Sequence, residues 1–445
     1  MGCDDARENT HGNVRGDAHG GMRGMALCAA AFALYFLCNW LLTNKFFLLA
    51  TPTAPLSRDV GTLVQGLGLL ALMLVSSRRP HALRGWMFLW LPVGLLAAGT
   101  VLLLAGMGRS AAVVTLGLSL VELVSSLTIV ALGCLLLQQS PKTAGVGVLV
   151  GLTASLLLRF AFDGLAGTAA VAGVFCTAQL ALVLLAAPPA RTTLAELRSS
   201  AAPEELRLTN PFSFLPLNHQ LYVCLALFQL SYGFAIGFGE VGDTPVTTFA
   251  GIVPLALVCA AVLALRRLPK IDPLFSVGFL FIVAGYLFVP FSHDEALPVA
   301  SNLLEAGNSC FSLVYWLSVA ALARRNRAGA LVFFAWGGCI LSAGVVAGAF
   351  LGRLGSDLLF SDPVATSVVC NVVALALIAY ATLALKRFSF DAAIERVQSA
   401  APIETPPSDG GGDLARAVRE LAEEARLTQR EAEVFALLAQ GRNGV

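Results

Sequence analysis

Two carboxylates are the residues of this chain best placed to do chemistry, because each interrupts an apolar run long enough to cross a bilayer. Glu305 follows Ser301 and Asn302 and precedes Asn308, Ser309 and Ser312, a spacing that sets these side chains along one helical stripe. Glu122 stands in the same relation to Ser119, Ser125 and Ser126. An acid at the bilayer centre costs at least ~2.5 kcal/mol, so it marks a proton, ion or solute site, or a bond to a neighbouring helix. On this pattern Glu122, Ser126, Asn302, Glu305, Asn308 and Ser309 are the candidate ligand-binding residues, lining a cavity between helices. The alternative is a protonated Glu that only holds two helices together. Arg159 could partner Glu122 from the next span, or snorkel to the headgroups from its place near a span end. Trp316 and Trp336 fit cavity walls and plain packing equally, whereas Trp40, Trp86 and Trp90 read as interface anchors.

No catalytic constellation accompanies these residues. G-x-x-x-x-G-K-[ST], G-x-S-x-G and H-E-x-x-H are all absent, so the expectation is a protein that is not an enzyme and uses no cofactor. The 10 cysteines form no C-x-x-C pair, all but Cys3 fall within or at the ends of apolar runs, and the 5 histidines lie in loops or tails, which argues against a metal site.

The elements that must position the two acids are transmembrane helices. Hydrophobic residues make up 57% and charged residues 13% of the chain, against about a quarter charged in soluble domains. Runs near spanning length recur at 25–43, 60–76, 86–106, 111–137, 146–162 and 168–187, then at 221–238, 247–265, 273–291, 299–323, 328–351 and 364–385. Alternate connections carry the basic residues: Arg78, Arg79 and Arg84; Lys142; Arg191, Arg198 and Arg207; Arg266, Arg267 and Lys270; Arg324, Arg325 and Arg327; Lys386 and Arg387. The opposite connections hold few cations and are rich in acids such as Asp163, Asp294 and Asp357. The positive-inside rule then puts both termini in the cytoplasm.

Residues 1–24 are polar and expected to be disordered. Half 1 spans 25–187 and half 2 spans 221–387, joined by a cytoplasmic connection at 188–220 with a short surface helix over 193–206. A Pro- and Gly-rich linker at 388–412 leads to a soluble segment, 413–445. The halves look like a weak repeat, since the sequences around Glu122 and Glu305 both fit L-x-E-x-x-[SN]-S.

Within the last segment Thr428 and Glu431 form a capping box, Val434, Leu437 and Leu438 share a stripe, and Gly441 falls where a helix would stop. These residues, with Leu427, Arg430, Glu433, Ala439 and Asn443, resemble the first helix of the LuxR/NarL-type helix-turn-helix, L-T-x-R-E-x-E-V-x-x-L-L-A-x-G-x-x-N. The second and recognition helices of that family would follow, so the expectation is a partial domain, truncated at Val445, to which no DNA-contacting residue is assigned. Two six-span repeats related by an axis along the membrane normal are the plan of major facilitator proteins. The segments Leu303-Leu304-Glu305-Ala306-Gly307 and Phe334-Ala335-Trp336-Gly337 are similar to those of bacterial regulators that join twelve such spans to a LuxR-type domain. The connection after the second span lacks the G-x-x-x-D of active facilitator transporters.

The resemblance implies an all-α membrane protein of two six-helix facilitator-like halves plus a partial C-terminal helix-turn-helix. It implies a one-component transcriptional regulator that senses a small-molecule ligand in the membrane, with a secondary transporter as the alternative. The implied partners are that ligand, the lipid bilayer, a possible homodimer, and DNA only where the helix-turn-helix is complete.

Overall fold

The computed structural model describes residues 5–79, 82–199, 219–239, 270–288, 297–327, 329–359, 363–386 and 388–397, with Ala256, Cys259 and Ala260 besides. The chain divides into two units, 1–398 and 399–445, and the described residues belong to the first. The helix-turn-helix-like segment 413–445 therefore lies outside the described residues, as does the expected span at 247–265 apart from those three positions.

Every element longer than one turn is a helix, because a backbone in hydrocarbon must satisfy its own N–H and C=O groups. In chain order they are α1 (Asp5–Leu41, continued by a π-turn Leu42–Phe46 and a last turn Phe47–Ala50), α2 (Ser57–Arg78), α3 (Trp90–Gly106), α4 (Ala111–Leu137), α5 (Pro141–Asp163) and α6 (Thr168–Ser199). The second half holds α7 (Gln220–Gly239), α8 (Ile271–Phe288), α9 (Leu297–Arg325), α10 (Ala330–Leu359), α11 (Pro363–Ala379, continued by a π-turn Tyr380–Ala384) and the short α12 (Phe390–Arg396). Eleven helices among the described residues are long and apolar enough to cross a membrane, and each coincides with an expected span.

Within each half, helices meet closely where glycine replaces a side chain. Gly147 and Gly151 of α5 lie against the α1 backbone, where a Cβ on Gly151 would come 2.7 Å from the Ala29 carbonyl oxygen. The halves touch along α2 with α10 and along α9 with α4 and α5. Trp316 of α9 is buried edge-on against Phe32 and Tyr35 of α1, with ring centroids 4.9 and 5.7 Å apart, so it packs the interface between halves.

Four expectations are corrected. Helix α1 begins at Asp5, so most of the segment expected to be disordered is helical; a membrane span already supplies the nucleus, and extension from it is far less costly than initiation. Helix α6 does not stop at Pro188 but runs through Pro188 and Pro189 to Ser199, and Thr193 and Leu194 are buried rather than on the surface. Gln138 Nε2 and Thr192 Oγ1 donate to the Pro189 carbonyl at 2.8 and 2.9 Å, tying this stretch of α6 to the end of α4. Trp40 is buried, with Lys45 Nζ 5.5 Å from its ring centroid, instead of lying at the interface. Finally, the start of the expected linker is helix α12, held on the second half.

Three contacts hold α12. Asp272, in the first turn of α8, accepts from the Phe390 amide at 2.7 Å and from the Ser389 hydroxyl, which itself caps Ala392 N at 3.1 Å. Arg325 Nη1 donates to the carbonyls of Glu395 and Val397 at 2.7 and 3.0 Å, at the other end of α12. The Phe390 ring is buried 5.1 Å from that of Phe275. Burial, then the nearby Asp272 charge, raises Asp391 above the ordinary carboxylate range, opposed by the Ile271 and Asp272 amides and by Lys270. A value raised by docking means the docked segment holds a proton more tightly. That contribution is complete below the ordinary value and is lost as pH rises through the raised one. Hydrogen exchange of residues 390–397, corrected for intrinsic rates, should be slower at a pH below the ordinary carboxylate value than at about pH 7. Asp391→Asn should flatten the difference, and a flat profile in the unmodified protein would contradict it.

Candidate functional site

The stripe on α9 is met by a cation from the first half. Arg159 lies four residues before the end of α5, and its Nη1 donates to Oε1 of Glu305, two turns into α9. The expected partnership of Arg159 with Glu122 is thus replaced by an ion pair across the two halves, and Arg159 does not snorkel: it is 7% exposed. The two side chains are unequally placed, the Arg159 side chain 9% exposed and that of Glu305 35% exposed. Arg159 Nε is buried and has no hydrogen-bond partner among the described residues.

A second ion pair crosses between the halves at the same end of the helices. Asp59, in the first turn of α2, binds Nη2 of Arg353 on α10 through Oδ2 and lies 3.4 Å from Arg58 through Oδ1. The sequence reading sets Arg353 in a connection because the apolar run ends near Leu351. The helix continues to Leu359 and carries Arg353 to its partner. Tyr232 of α7 lies within electrostatic reach of Glu305, Arg159 and Arg58.

Along the stripe itself, Asn308 Oδ1 accepts from Gln229 Nε2 of α7 at 3.3 Å, Ser309 is buried, and Asn302 is half-buried. Glu122 and Ser126 form a different group. Ser126 Oγ donates to the Gln65 carbonyl at 2.9 Å, and the Gln65 side-chain oxygen accepts from Ser342 Oγ at 2.8 Å, tying α4, α2 and α10 together. Glu122 is 4% exposed and packs against Gly61, where a Cβ would come 3.2 Å from Glu122 Cγ. Its Oε2 is buried with no hydrogen-bond partner among the described residues. The six candidate residues therefore fall into two clusters, Glu122 with Ser126 and Glu305 with Asn302, Asn308 and Ser309. No described hydrogen bond joins them.

The opposite, basic end of the bundle is closed by a different contact. Arg324, in the last turn of α9, donates from Nη2 to the Leu136 carbonyl at 2.8 Å and that of Gln139 at 3.4 Å, so a cation of one half caps the C-terminus of α4 in the other. Arg327 and Glu196 approach to 4.0 Å there, but both are largely exposed and contribute little.

Asp59, Gln65, Gln229, Tyr232, Ser342 and Arg353 are absent from the sequence-derived candidates. The signal that could have found Asp59 and Arg353 is that each lies within a turn or two of an apolar run, close enough for the helix to extend over it.

No protein family model and no curated protein matches the sequence. Solved structures do match it. The human organic anion transporter MFSD10 (TETRAN) is 14% identical over 80% of this chain and 98% of its own length, with a TM-score of 0.51. The Escherichia coli fucose:proton symporter FucP is 12% identical over 81% of this chain and 98% of its own, with a TM-score of 0.50. Identities this low speak for architecture alone, and with eleven helices among the described residues long and apolar enough to span a membrane, the chain has the fold of the major facilitator transporters.

Proposed function

We propose that this protein is a secondary transporter that carries a small solute between its two halves by alternating access. The observation that carries the reading is the placing of breakable polar contacts at opposite ends of the interface between halves. Asp59–Arg353 and Arg159–Glu305 lie at one end and Arg324 on the α4 carbonyls at the other. Polar contacts of this kind can be exchanged for water or solute, so each end can open while the other stays shut. The fold shared with known transporters supports the same reading. On the basic-loop pattern, the Arg324 end faces the cytoplasm.

The test uses the full chain in proteoliposomes, in a background lacking native cysteines. A short bis-maleimide joins D59C to R353C, and a cysteine at Gln139 is labelled by a water-soluble thiol reagent. Locking the Asp59 end should increase labelling at Gln139 several-fold, because the closed end favours opening of the other. Labelling that does not change on cross-linking would refute rocking of the halves.

The helix-turn-helix-like pattern at 427–445 favours a second reading, a membrane-embedded regulator in which solute occupancy is passed to the C-terminal unit. It rests on the sequence pattern alone. Halves that rock in the cross-linking experiment while no solute crosses the vesicle membrane would favour it over transport.

A further inference from the structure

We propose that Arg159 is the receptor for a carboxylate group of the solute, with Glu305 as an internal anion that occupies one edge of the guanidinium until the solute arrives. The inference rests on the transporter reading and deepens it by naming the substrate class.

The argument starts from the unequal burial of the pair. The Arg159 side chain is 9% exposed and that of Glu305 is 35% exposed. When the halves part at this end, α9 carries Glu305 away from α5, and the two charges fare differently. The carboxylate is already open enough to take up water. The guanidinium is 9% exposed and would be left without its counter-charge, the situation that makes breaking a buried pair so costly. An incoming anion removes that cost, whereas an incoming cation would meet only the partner that water already serves.

The second observation is that the Nε edge is unsatisfied even while the pair is formed. Nη1 of Arg159 serves Glu305, but Nε is buried with no hydrogen-bond partner among the described residues. A carboxylate can bind side-on to the Nε edge of a guanidinium through two parallel N–H···O bonds, the geometry for which arginine is better suited than lysine. The neighbouring groups suit an acceptor-rich solute. Tyr232 is within electrostatic reach of both Arg159 and Glu305, and Gln229 and Asn308 offer amide groups one turn further along the stripe.

Thermal unfolding of the purified full chain in detergent tests the proposal, with acetate, benzoate and succinate as probes and acetamide, benzamide and succinamide as their neutral counterparts. At least one carboxylate should raise the unfolding midpoint of the unmodified protein while its amide does not. E305Q should give the same shift at roughly a tenth of the concentration, since a competing internal anion is removed. R159Q should lose the shift, and R159K, which keeps the charge without the Nε edge, should weaken it. The proposal fails if amides act as well as carboxylates, if R159Q responds like the unmodified protein, or if no carboxylate shifts either the unmodified chain or E305Q. Those failures leave the cross-linking result untouched: halves that rock without a carboxylate response keep the transporter reading and remove only this substrate class.

Discussion

Replacing Glu305 by leucine is expected to destabilise the protein far more than replacing Arg159 by leucine, although the two residues share one ion pair. In Glu305→Leu the guanidinium stays in place at 9% side-chain exposure with no counter-charge. Removing one partner of a buried pair costs ~3–5 kcal/mol, and partial exposure of the lost carboxylate places this case at about 3. In Arg159→Leu the remaining carboxylate is 35% exposed and hydrated, so the loss should be about 1 kcal/mol. Glu305→Gln keeps an acceptor for Nη1 and should fall between the unmodified protein and Glu305→Leu. The double leucine variant should recover most of the stability lost in Glu305→Leu, because an apolar pair carries no buried charge. Unfolding midpoints in one detergent measure all four; equal losses for the two single leucine variants would show that burial does not separate the partners.

The parts of this architecture legible in the sequence are those set by the bilayer. A span must be long, apolar and helical, so run length and the alternation of basic connections locate eleven helices before any packing is known. Glu122 and Glu305 stand out for the same reason, as charges where charges are costly. Which group each acid meets is not legible. Arg159 and Glu122 lie on consecutive helices, yet Arg159 pairs with Glu305 because α5 and α9 face each other across the halves. That proximity is a property of how the two halves dock and leaves no trace in local spacing. Arg353 is hidden by a different cause: hydropathy ends a span where side chains become polar, while the hydrogen-bonded helix runs on. Pro188 and Pro189 mislead in the same manner, since prolines are tolerated inside a membrane helix and α6 runs through both to Ser199.

The two acids also differ in what each asks of its surroundings. Glu305 has a partner that can leave with the opposite half, and its exposure lets water replace that partner. Glu122 sits at the meeting of α4 and α2, enclosed beside Gly61, with Oε2 unsatisfied among the described residues. Such a place is costly for a charge, and Glu122 is packed on Gly61 rather than open to water. One stripe is therefore suited to exchanging charge with the solvent, and the other to remaining dry while the halves move.

Gly348→Ala, the smallest possible change on α10, is expected to be among the most damaging substitutions in the second half. A Cβ at Gly348 would come 2.0 Å from the Leu230 carbonyl oxygen and 2.7 Å from the Phe234 amide nitrogen of α7. Gly233 and Gly237 of α7 face the Val345 and Ala349 carbonyl oxygens of α10 at 2.2 Å in the same sense. The obstacle is backbone in both directions, so no side chain can rotate away and the helices must separate. Overpacking typically costs 1–3 kcal/mol, and a contact between two backbones puts Gly348→Ala at about 3 or more. Gly94→Ala on α3 is the control: nothing lies within 4 Å of its Cβ, and alanine there should gain up to ~1 kcal/mol in helix propensity. Unfolding midpoints of the two variants should move in opposite directions, and equal stability would show that α7 and α10 are not in backbone contact. The contrast bears on function. Helices of one half are locked by glycine contacts that admit no atom between them, whereas the interface between halves is closed by Asp59–Arg353, Arg159–Glu305 and Arg324, contacts that part without disturbing either bundle. A rigid half and a separable interface are the two mechanical conditions for opening one end at a time.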